Sequence, residues 1–121
     1  MQIKRRGCCI DVLEERGTLV IRLSGEIDHH GAVGVRSEID RMISERRPER
    51  LALELSGIDF MDSSGIGLIM GRYARMKAAG GELIVRYPSA RVKKIFSMAG
   101  LERIVRIEER KGVNRNEGKG N

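Results

Sequence analysis

Apolar and polar residues follow two different periods along this chain, which indicates strands and helices in alternation. Residues 18–24 and 51–55 are apolar and rich in β-branched side chains, which is typical of buried strands. From Ala32 to Ile43 the apolar residues instead recur every three or four positions, which predicts an amphipathic helix. The complete pattern predicts strands over 8–13, 18–24, 51–55, 82–86 and 103–107, and helices containing 32–43, 62–79 and 90–99.

Turn and cap residues separate these elements. The sequence Glu15-Arg16-Gly17 predicts a tight turn and therefore a hairpin between the first two strands. Residues 25–30 and 56–61 are expected to form loops, and Gly80-Gly81 ends the second helix. The resulting order, ββαβαβαβ, predicts a single α/β domain with a mostly parallel sheet, an antiparallel edge and helices packed on it.

The spacing of apolar residues also predicts the inner side of the second helix. Ile66, Ile69, Met70, Tyr73 and Met76 share one face. Tyr73 is therefore expected in the core with its hydroxyl pointing outward. Arg72 is expected at the surface.

The basic charge of the chain lies at its two ends. The 121 residues (13.6 kDa) suit one domain and carry a net charge of +6. Residues 7–109 contain equal numbers of acidic and basic side chains, so the excess belongs to 4–6 and 110–119. We expect a flexible basic segment at 1–7, the domain at 8–109 and a disordered basic tail at 110–121. Aromatic residues make up only 3%, which disfavours direct nucleic-acid binding.

The sequence indicates neither a membrane span nor a metal site. No apolar stretch approaches the ~20 residues of a span, and we expect a cytoplasmic protein. Cys8 and Cys9 are adjacent, which suits two partly buried apolar residues better than a metal or redox pair. Asp28, His29 and His30 are also adjacent, so their side chains diverge; they suit a helix cap in a solvated loop, or an interface, better than a metal site.

The segment from Asp62 to Gly67 is the sharpest candidate for function, and four interpretations stay open. Asp62 or Ser63 simply caps a helix. A second interpretation is a hydrolase with Ser63 or Ser64 as nucleophile. The nucleophile elbow needs a glycine two residues before the serine, and those positions are Met61 and Asp62. A third interpretation is a phosphate-binding loop, but the third glycine of its motif is absent here. Finally, a serine accepts a phosphoryl group, whose negative charge a helix N-terminus tolerates but a partner interface does not.

Several blocks of sequence, taken together, resemble one family. These are Gly25-Glu-Ile-Asp-His-His30, Phe60-Met-Asp-Ser-Ser-Gly-Ile-Gly-Leu-Ile-Met-Gly-Arg-Tyr73, Gly80-Gly-Glu82, Val92-Lys-Lys-Ile-Phe96 and Met98-Ala-Gly-Leu101. In this order and spacing they resemble the anti-anti-sigma factors, which are STAS-domain proteins. The resemblance covers roughly 19–107. It implies a STAS-type fold with a final helix after the last strand, although the tail here is very polar for such a helix.

The resemblance also implies a function. A family member binds an ATP-bound anti-sigma factor that is a serine kinase and thereby frees a sigma factor. The kinase phosphorylates the serine at the position of Ser63, the modified protein is released, and a serine phosphatase restores it. No residue of this chain is then catalytic, and no cofactor is expected. The partner-binding residues implied are Asp28, His29, His30, Asp62, Ser63, Ser64, Gly65, Ile66 and Gly67.

Individual roles follow for the residues of the second helix start. Asp62 is expected to orient the loop or cap the helix, and Ser64 to hydrogen-bond locally. Gly65 and Gly67 would let the partner backbone approach closely. Two alternatives remain: a STAS interaction module of a stress-signalling partner switch and, more remotely, a small serine hydrolase.

Overall fold

A computed structural model describes residues 2–5 and 7–110 of the chain. Within these ranges lie six strands, three α-helices and one turn of 3-10 helix. The strands are β1 (Gln2–Arg5), β2 (Cys8–Glu15), β3 (Thr18–Ile27), β4 (Arg50–Met61), β5 (Glu82–Arg86) and β6 (Arg106–Glu108). The helices are α1 (His29–Arg46), α2 (Ser63–Ala78) and α3 (Ala90–Ala99), and the 3-10 turn is Leu101–Arg103.

The strands form one sheet in sequence order, from β1 to β6. β1, β2 and β3 are antiparallel neighbours, whereas β3, β4, β5 and β6 run parallel. The β2–β3 hairpin closes through Arg16 and Gly17, which both adopt positive φ angles. Each parallel neighbour is reached through a helix, as strand crossovers require. This arrangement confirms the predicted α/β fold with an antiparallel edge.

All three helices pack on the same face of the sheet. Val35 and Ile39 of α1, Ile69 of α2 and Phe96 of α3 belong to one buried apolar cluster with alternate residues of the strands. The strand residues in that cluster include Leu19, Ile21, Leu23, Leu51, Leu53, Leu55, Leu83 and Val85. Because successive strand residues point to opposite faces, the intervening residues form the other face.

The opposite face of the sheet carries a short apolar row bordered by ion pairs. Val20, Ala52 and Ile84 are cross-strand neighbours and form a small separate buried cluster. Beside them, Arg22 Nε donates to Oε2 of the buried Glu54 at 3.0 Å. Burial alone would raise the pKa of Glu54, but hydrogen bonds from Ser56 and Arg22 outweigh it and leave that pKa below its ordinary value.

Two predicted loops are in fact strand. The predictions of loops at 25–30 and 56–61 are wrong, because β3 continues to Ile27 and β4 to Met61. The pairing survives through two shifts of register, and Ile27 still lies opposite Met61. These shifts disturb the alternation of apolar and polar residues by which a strand is recognised in sequence.

The chain ends also differ from the prediction. Gln2–Arg5 forms an edge strand paired with β2 where a flexible segment was expected at 1–7. At the other end, Leu101–Arg103 is a 3-10 turn, so the last strand begins at Arg106 and not at 103. Arg110 lies with its guanidinium carbon 4.8 Å from the centre of the Tyr87 ring. The rest of the predicted tail, 111–121, lies outside the described residues.

Among the helices in the described part of the chain, none combines the length and apolar content needed to cross a membrane.

The α3 helix offers a matched test of the core. Phe96 is fully buried, whereas Met98, two residues later, is 81% exposed. We expect Phe96→Ala to lower the free energy of unfolding by about 3–5 kcal/mol, because it removes buried contacts and leaves a cavity. Met98→Ala should change it by no more than about 0.5 kcal/mol. Urea unfolding followed by circular dichroism measures both; equal losses would contradict the packing of α3 described above.

Candidate functional site

Two helix starts lie side by side at one edge of the sheet. β3 and β4 are parallel and end in register, with Ile27 opposite Met61. The next residue of each strand, Asp28 and Asp62, is the N-cap of the helix that follows. The structure therefore brings together the two segments in which the sequence placed its candidate residues.

Each aspartate satisfies backbone N–H groups of its own helix. Asp62 Oδ1 accepts a hydrogen bond from the Ser64 N–H at 2.8 Å, and its carbonyl accepts one from Gly65 at 3.0 Å. Asp28 Oδ1 accepts from the Gly31 N–H at 2.9 Å. That backbone hydrogen bond is the main cause that lowers the pKa of Asp28. The expected capping role of Asp62 is thus present in the structure.

Ser63 is left with no structural task for its hydroxyl. It is the first residue of α2 and is exposed. Within the described part of the chain, its Oγ makes no hydrogen bond, since the side chain of Asp62 performs the capping. Ser64 is half-buried and faces the neighbouring helix α1. Of the two serines, Ser63 is therefore the one accessible to a modifying enzyme.

Gly65 packs inside the protein, which differs from the expected contact with a partner backbone. It is buried, and a Cβ added to it would overlap Cγ of Met61. Met61 is itself only 1% exposed, so it has little room to move. Gly65 thereby lets α2 begin directly against the end of β4. Gly67 is exposed, and a Cβ there would meet no atom within 4 Å.

A groove runs between α1 and α2 from these helix starts. Its volume is about 320 Å³. His29 and Ser64 lie at its head, whereas the exposed His30 is in edge-to-face contact with His29 at a ring separation of 5.8 Å. Ile66 is half-buried and packs against the core. The residues that line the groove are His29, Ala32, Val33, Arg36, Ser64, Gly67, Leu68, Gly71 and Arg72.

Arg72 is buried, contrary to the prediction. It was predicted at the surface, but it is 7% exposed, and its Nε lies 2.9 Å from Oδ1 of Asp40 on α1. Its Nη1 also donates to the Leu68 carbonyl at 3.3 Å. Desolvation is the largest effect on Arg72 and lowers its pKa. Tyr73, predicted in the core, is only half-buried.

An apolar stripe that begins at Gly65 instead of Ile66 would have predicted the buried position of Arg72. The buried residues of α2 are Gly65, Leu68, Ile69, Arg72 and Met76, which is itself a regular spacing of three and four. The prediction instead began the stripe at Ile66, because glycine and arginine are poor core residues. Two exposed apolar residues close to the caps, Val33 at 47% and Phe60 at 43% exposure, were not among the predicted partner-binding residues.

Across residues 2–5 and 7–110, no three His, Cys, Asp or Glu side chains converge as metal ligands do. The buried thiol of Cys8 has its pKa raised to about 11, with desolvation as the main cause.

The two glycines provide a matched test of the helix start. We expect Gly65→Ala to lower the free energy of unfolding by about 1–3 kcal/mol, because the new methyl group overlaps buried Met61. Gly67→Ala should instead raise it by up to about 1 kcal/mol through helix propensity. Chemical unfolding of both variants measures the difference, and a stabilised Gly65→Ala would show that α2 does not need this close approach.

Comparison with known proteins finds anti-sigma factor antagonists among the relatives of this chain. An anti-sigma F factor antagonist from Paenibacillus polymyxa is 42% identical over 98 residues, covering 81% of this chain and 84% of the relative. One from Lysinibacillus sphaericus is 41% identical over 86 residues, covering 71% and 74%. An anti-sigma-B factor antagonist from Bacillus subtilis is 28% identical over 98 residues, covering 81% and 88%.

Solved structures agree with these relatives. The anti-sigma factor antagonist SpoIIAA in its unphosphorylated form superposes with a TM-score of 0.71 at 34% identity, covering 81% of this chain and 86% of that one. The phosphorylated form of the Bacillus protein SpoIIAA gives 0.65 at 33% identity, covering 81% and 89%. The family model of the STAS domain matches residues 10–112. The chain therefore belongs to the STAS domain family and, within it, to the anti-sigma factor antagonists.

Proposed function

We propose that this chain binds an anti-sigma factor that is also a serine kinase, and that phosphorylation of Ser63 ends the complex. The observation that carries the proposal is the division of labour at the start of α2. Asp62 caps the helix, so the exposed Ser63 hydroxyl is available to a kinase. The existence of SpoIIAA in unphosphorylated and phosphorylated forms supports such a switch in a relative that shares this fold.

The proposed binding surface combines the two helix starts with the groove between them. It contains the cap aspartates, which hold the local backbone in place, and the exposed apolar side chains of Val33 and Phe60. Apolar contacts of this kind supply affinity when a partner excludes water from them. The predicted partner-binding residues that face outward are Asp28, His29, His30, Ser63 and Gly67, with Ser64 facing the groove.

The chemistry of the switch belongs to the partner. The Ser63 Oγ attacks the γ-phosphorus of ATP, the bond to the β-phosphate oxygen breaks, and ADP leaves. The hydroxyl proton passes to a base of the kinase, which also supplies the magnesium ions. This chain contributes an accessible hydroxyl on a rigid helix start. A serine phosphatase then restores the hydroxyl by hydrolysis.

Phosphate on Ser63 would oppose binding without opposing folding. It adds about 1.5–2 negative charges at the positive end of α2, where the helix dipole favours them. The same charges lie beside Asp28 and Asp62 at the centre of the proposed interface. Burying them there against a partner shaped for a neutral hydroxyl costs desolvation energy.

A second pathway is a candidate because one curated relative acts on another sigma-factor system. The Bacillus subtilis anti-sigma-B factor antagonist matches 81% of this chain, although at 28% identity compared with 42% for the anti-sigma F relative. This difference favours the sporulation system over a stress-signalling system. Binding of the two anti-sigma factors of the source organism, measured side by side, distinguishes these possibilities.

The position of the modification is directly testable. After incubation with the anti-sigma F factor kinase of the source organism and Mg-ATP, we expect one added phosphoryl group on the peptide containing Ser63. Ser63→Ala should abolish it, and Ser64→Ala should retain it, because only Ser63 is exposed. Intact-mass and peptide mapping give the answer. Modification of Ser64 in the Ser63→Ala variant at the wild-type rate would refute the assignment.

Release by charge is testable with an isosteric pair. We expect Ser63→Asp to weaken binding to the anti-sigma factor at least about tenfold, that is by about 1.4 kcal/mol. Ser63→Asn, which has the same shape without the charge, should bind several times more tightly than Ser63→Asp. Isothermal titration calorimetry measures both affinities, with unfolding curves as a check of folding. Equal weakening by both variants would show that the switch is steric and not electrostatic.

A further inference from the structure

The groove between α1 and α2 has an excess of positive charge. Arg36 and Arg72 line it, and Arg75 follows on the same helix as Arg72. Asp40 is shared by two of these arginines, with its Oδ1 2.9 Å from Arg72 Nε and 3.9 Å from Arg75 Nε. Within the part of the chain that the structure describes, no carboxylate lies within ion-pair distance of Arg36. Two guanidinium groups therefore line the groove, and the only described carboxylate paired with either of them is Asp40, which lies against Arg72.

Arg72 is the fixed part of this arrangement. Its side chain is 8% exposed, and Nε is shielded from solvent together with Oδ1 of Asp40. Neither of these two atoms makes an aligned hydrogen bond with another described residue, so the ion pair is incompletely satisfied. Arg36 and Arg75 repel the buried charge, and this repulsion adds to desolvation in lowering the pKa of Arg72. An additional carboxylate nearby would offset both effects.

The shape of the groove leaves room for such a carboxylate. A Cβ added at Gly67 or Gly71 would meet no atom within 4 Å, so this side of α2 is open. Ala32 provides a small side chain on the facing helix. At the head of the groove, the N-terminal ends of α1 and α2 add their positive dipole ends. The space of about 320 Å³ accommodates one side chain and part of a backbone.

We propose that this groove receives an acidic segment of the anti-sigma factor, with an Asp or Glu side chain placed against Arg36 and Arg72. The inference rests on the proposed function, since it names what the groove recognises in the same partner. The charge of the groove selects a carboxylate, and the position of Ser64 at its head places the bound segment next to Ser63. Docking in the groove thus aligns the kinase with the hydroxyl that it modifies.

Charge reversal at Arg36 tests the groove, because Arg36 is exposed and its replacement leaves the core intact. The binding partner is the ATP-loaded anti-sigma F factor kinase of the source organism, and the parent and all three variants carry Ser63→Ala so that phosphorylation plays no part. We expect Arg36→Glu to weaken binding about tenfold or more, and Arg36→Lys by much less. Arg91→Glu makes the same charge change at an exposed residue of α3, and its affinity for the kinase should stay within about twofold of that of the parent.

Salt dependence adds a readout that a loss of packing would not produce. Affinity of the parent protein should fall as sodium chloride rises from low to physiological concentration, and Arg36→Glu should show a flatter dependence. If the parent binds the kinase and Arg36→Glu binds equally well, the groove proposal is wrong and the proposed function stands. If the parent does not bind, the proposed function itself fails.

Two other possible ligands of the groove, a phosphate compound and a second copy of this chain, are tested on the isolated protein. Titration with inorganic phosphate or Mg-ATP, followed by amide NMR shifts, would overturn the proposal if either saturated the groove residues and Arg36→Glu abolished that binding. Sedimentation analysis would overturn it if the parent formed a dimer that Arg36→Glu dissociated. A monomer without such shifts, combined with the charge-dependent loss of kinase binding, supports the acidic segment.

Discussion

The pairing of β3 with β4 is the constraint on which the site depends. Through two shifts of register these strands stay hydrogen-bonded as far as Ile27 and Met61. Because they are parallel and end together, their next residues, Asp28 and Asp62, start two helices at neighbouring points. The groove between α1 and α2 is the direct consequence. A break in this pairing before Gly25 would separate the helix starts, even if every residue of the site were retained.

Two further contacts fix α2 once it has begun. Gly65 allows its first turn to lie against buried Met61, and farther along the helix Arg72 is held to Asp40 of α1. One contact is apolar and close, and the other is ionic and incompletely satisfied. Together they leave α2 little freedom to shift relative to β4 and α1. Ser63 is thus presented from a rigid element, which suits a residue that must be recognised in a defined orientation.

The predictability of each element depended on how local its determinants are. β5 and α3 have the predicted bounds because Pro88, the Ser89 cap and Gly100 in the left-handed region mark them in sequence. The ends of β3 and β4 were missed, since their pairing partner lies some 30 residues away and the bulges disturb the alternation. Arg72 was misplaced for a similar reason: its counter-ion, Asp40, belongs to another helix.

The candidate site shows the same division between local and distant information. The caps at Asp28 and Asp62 follow from residue type and position, and they were expected. The interpretation of Ser63 as a phosphate acceptor came from the family resemblance, because the spacing alone also suited a simple cap. The packing of Gly65 against Met61 is visible only in the structure. The sequence alone does not show whether a glycine makes room for a partner or for the core of its own domain.

These features make the proposed switch a change of surface charge and not of fold. The N–H groups of Ser64 and Gly65 are already bonded to Asp62, so a phosphate on Ser63 has few free donors to reorganise in the first turn. The contacts of Gly65 and Arg72 oppose any movement of α2 as a unit. What changes is the charge at the head of the groove, where a dianion would stand beside Asp28 and Asp62, next to the proposed site of the acidic partner segment. The phosphate would then repel the acidic segment of the partner, which couples modification to release without a conformational step.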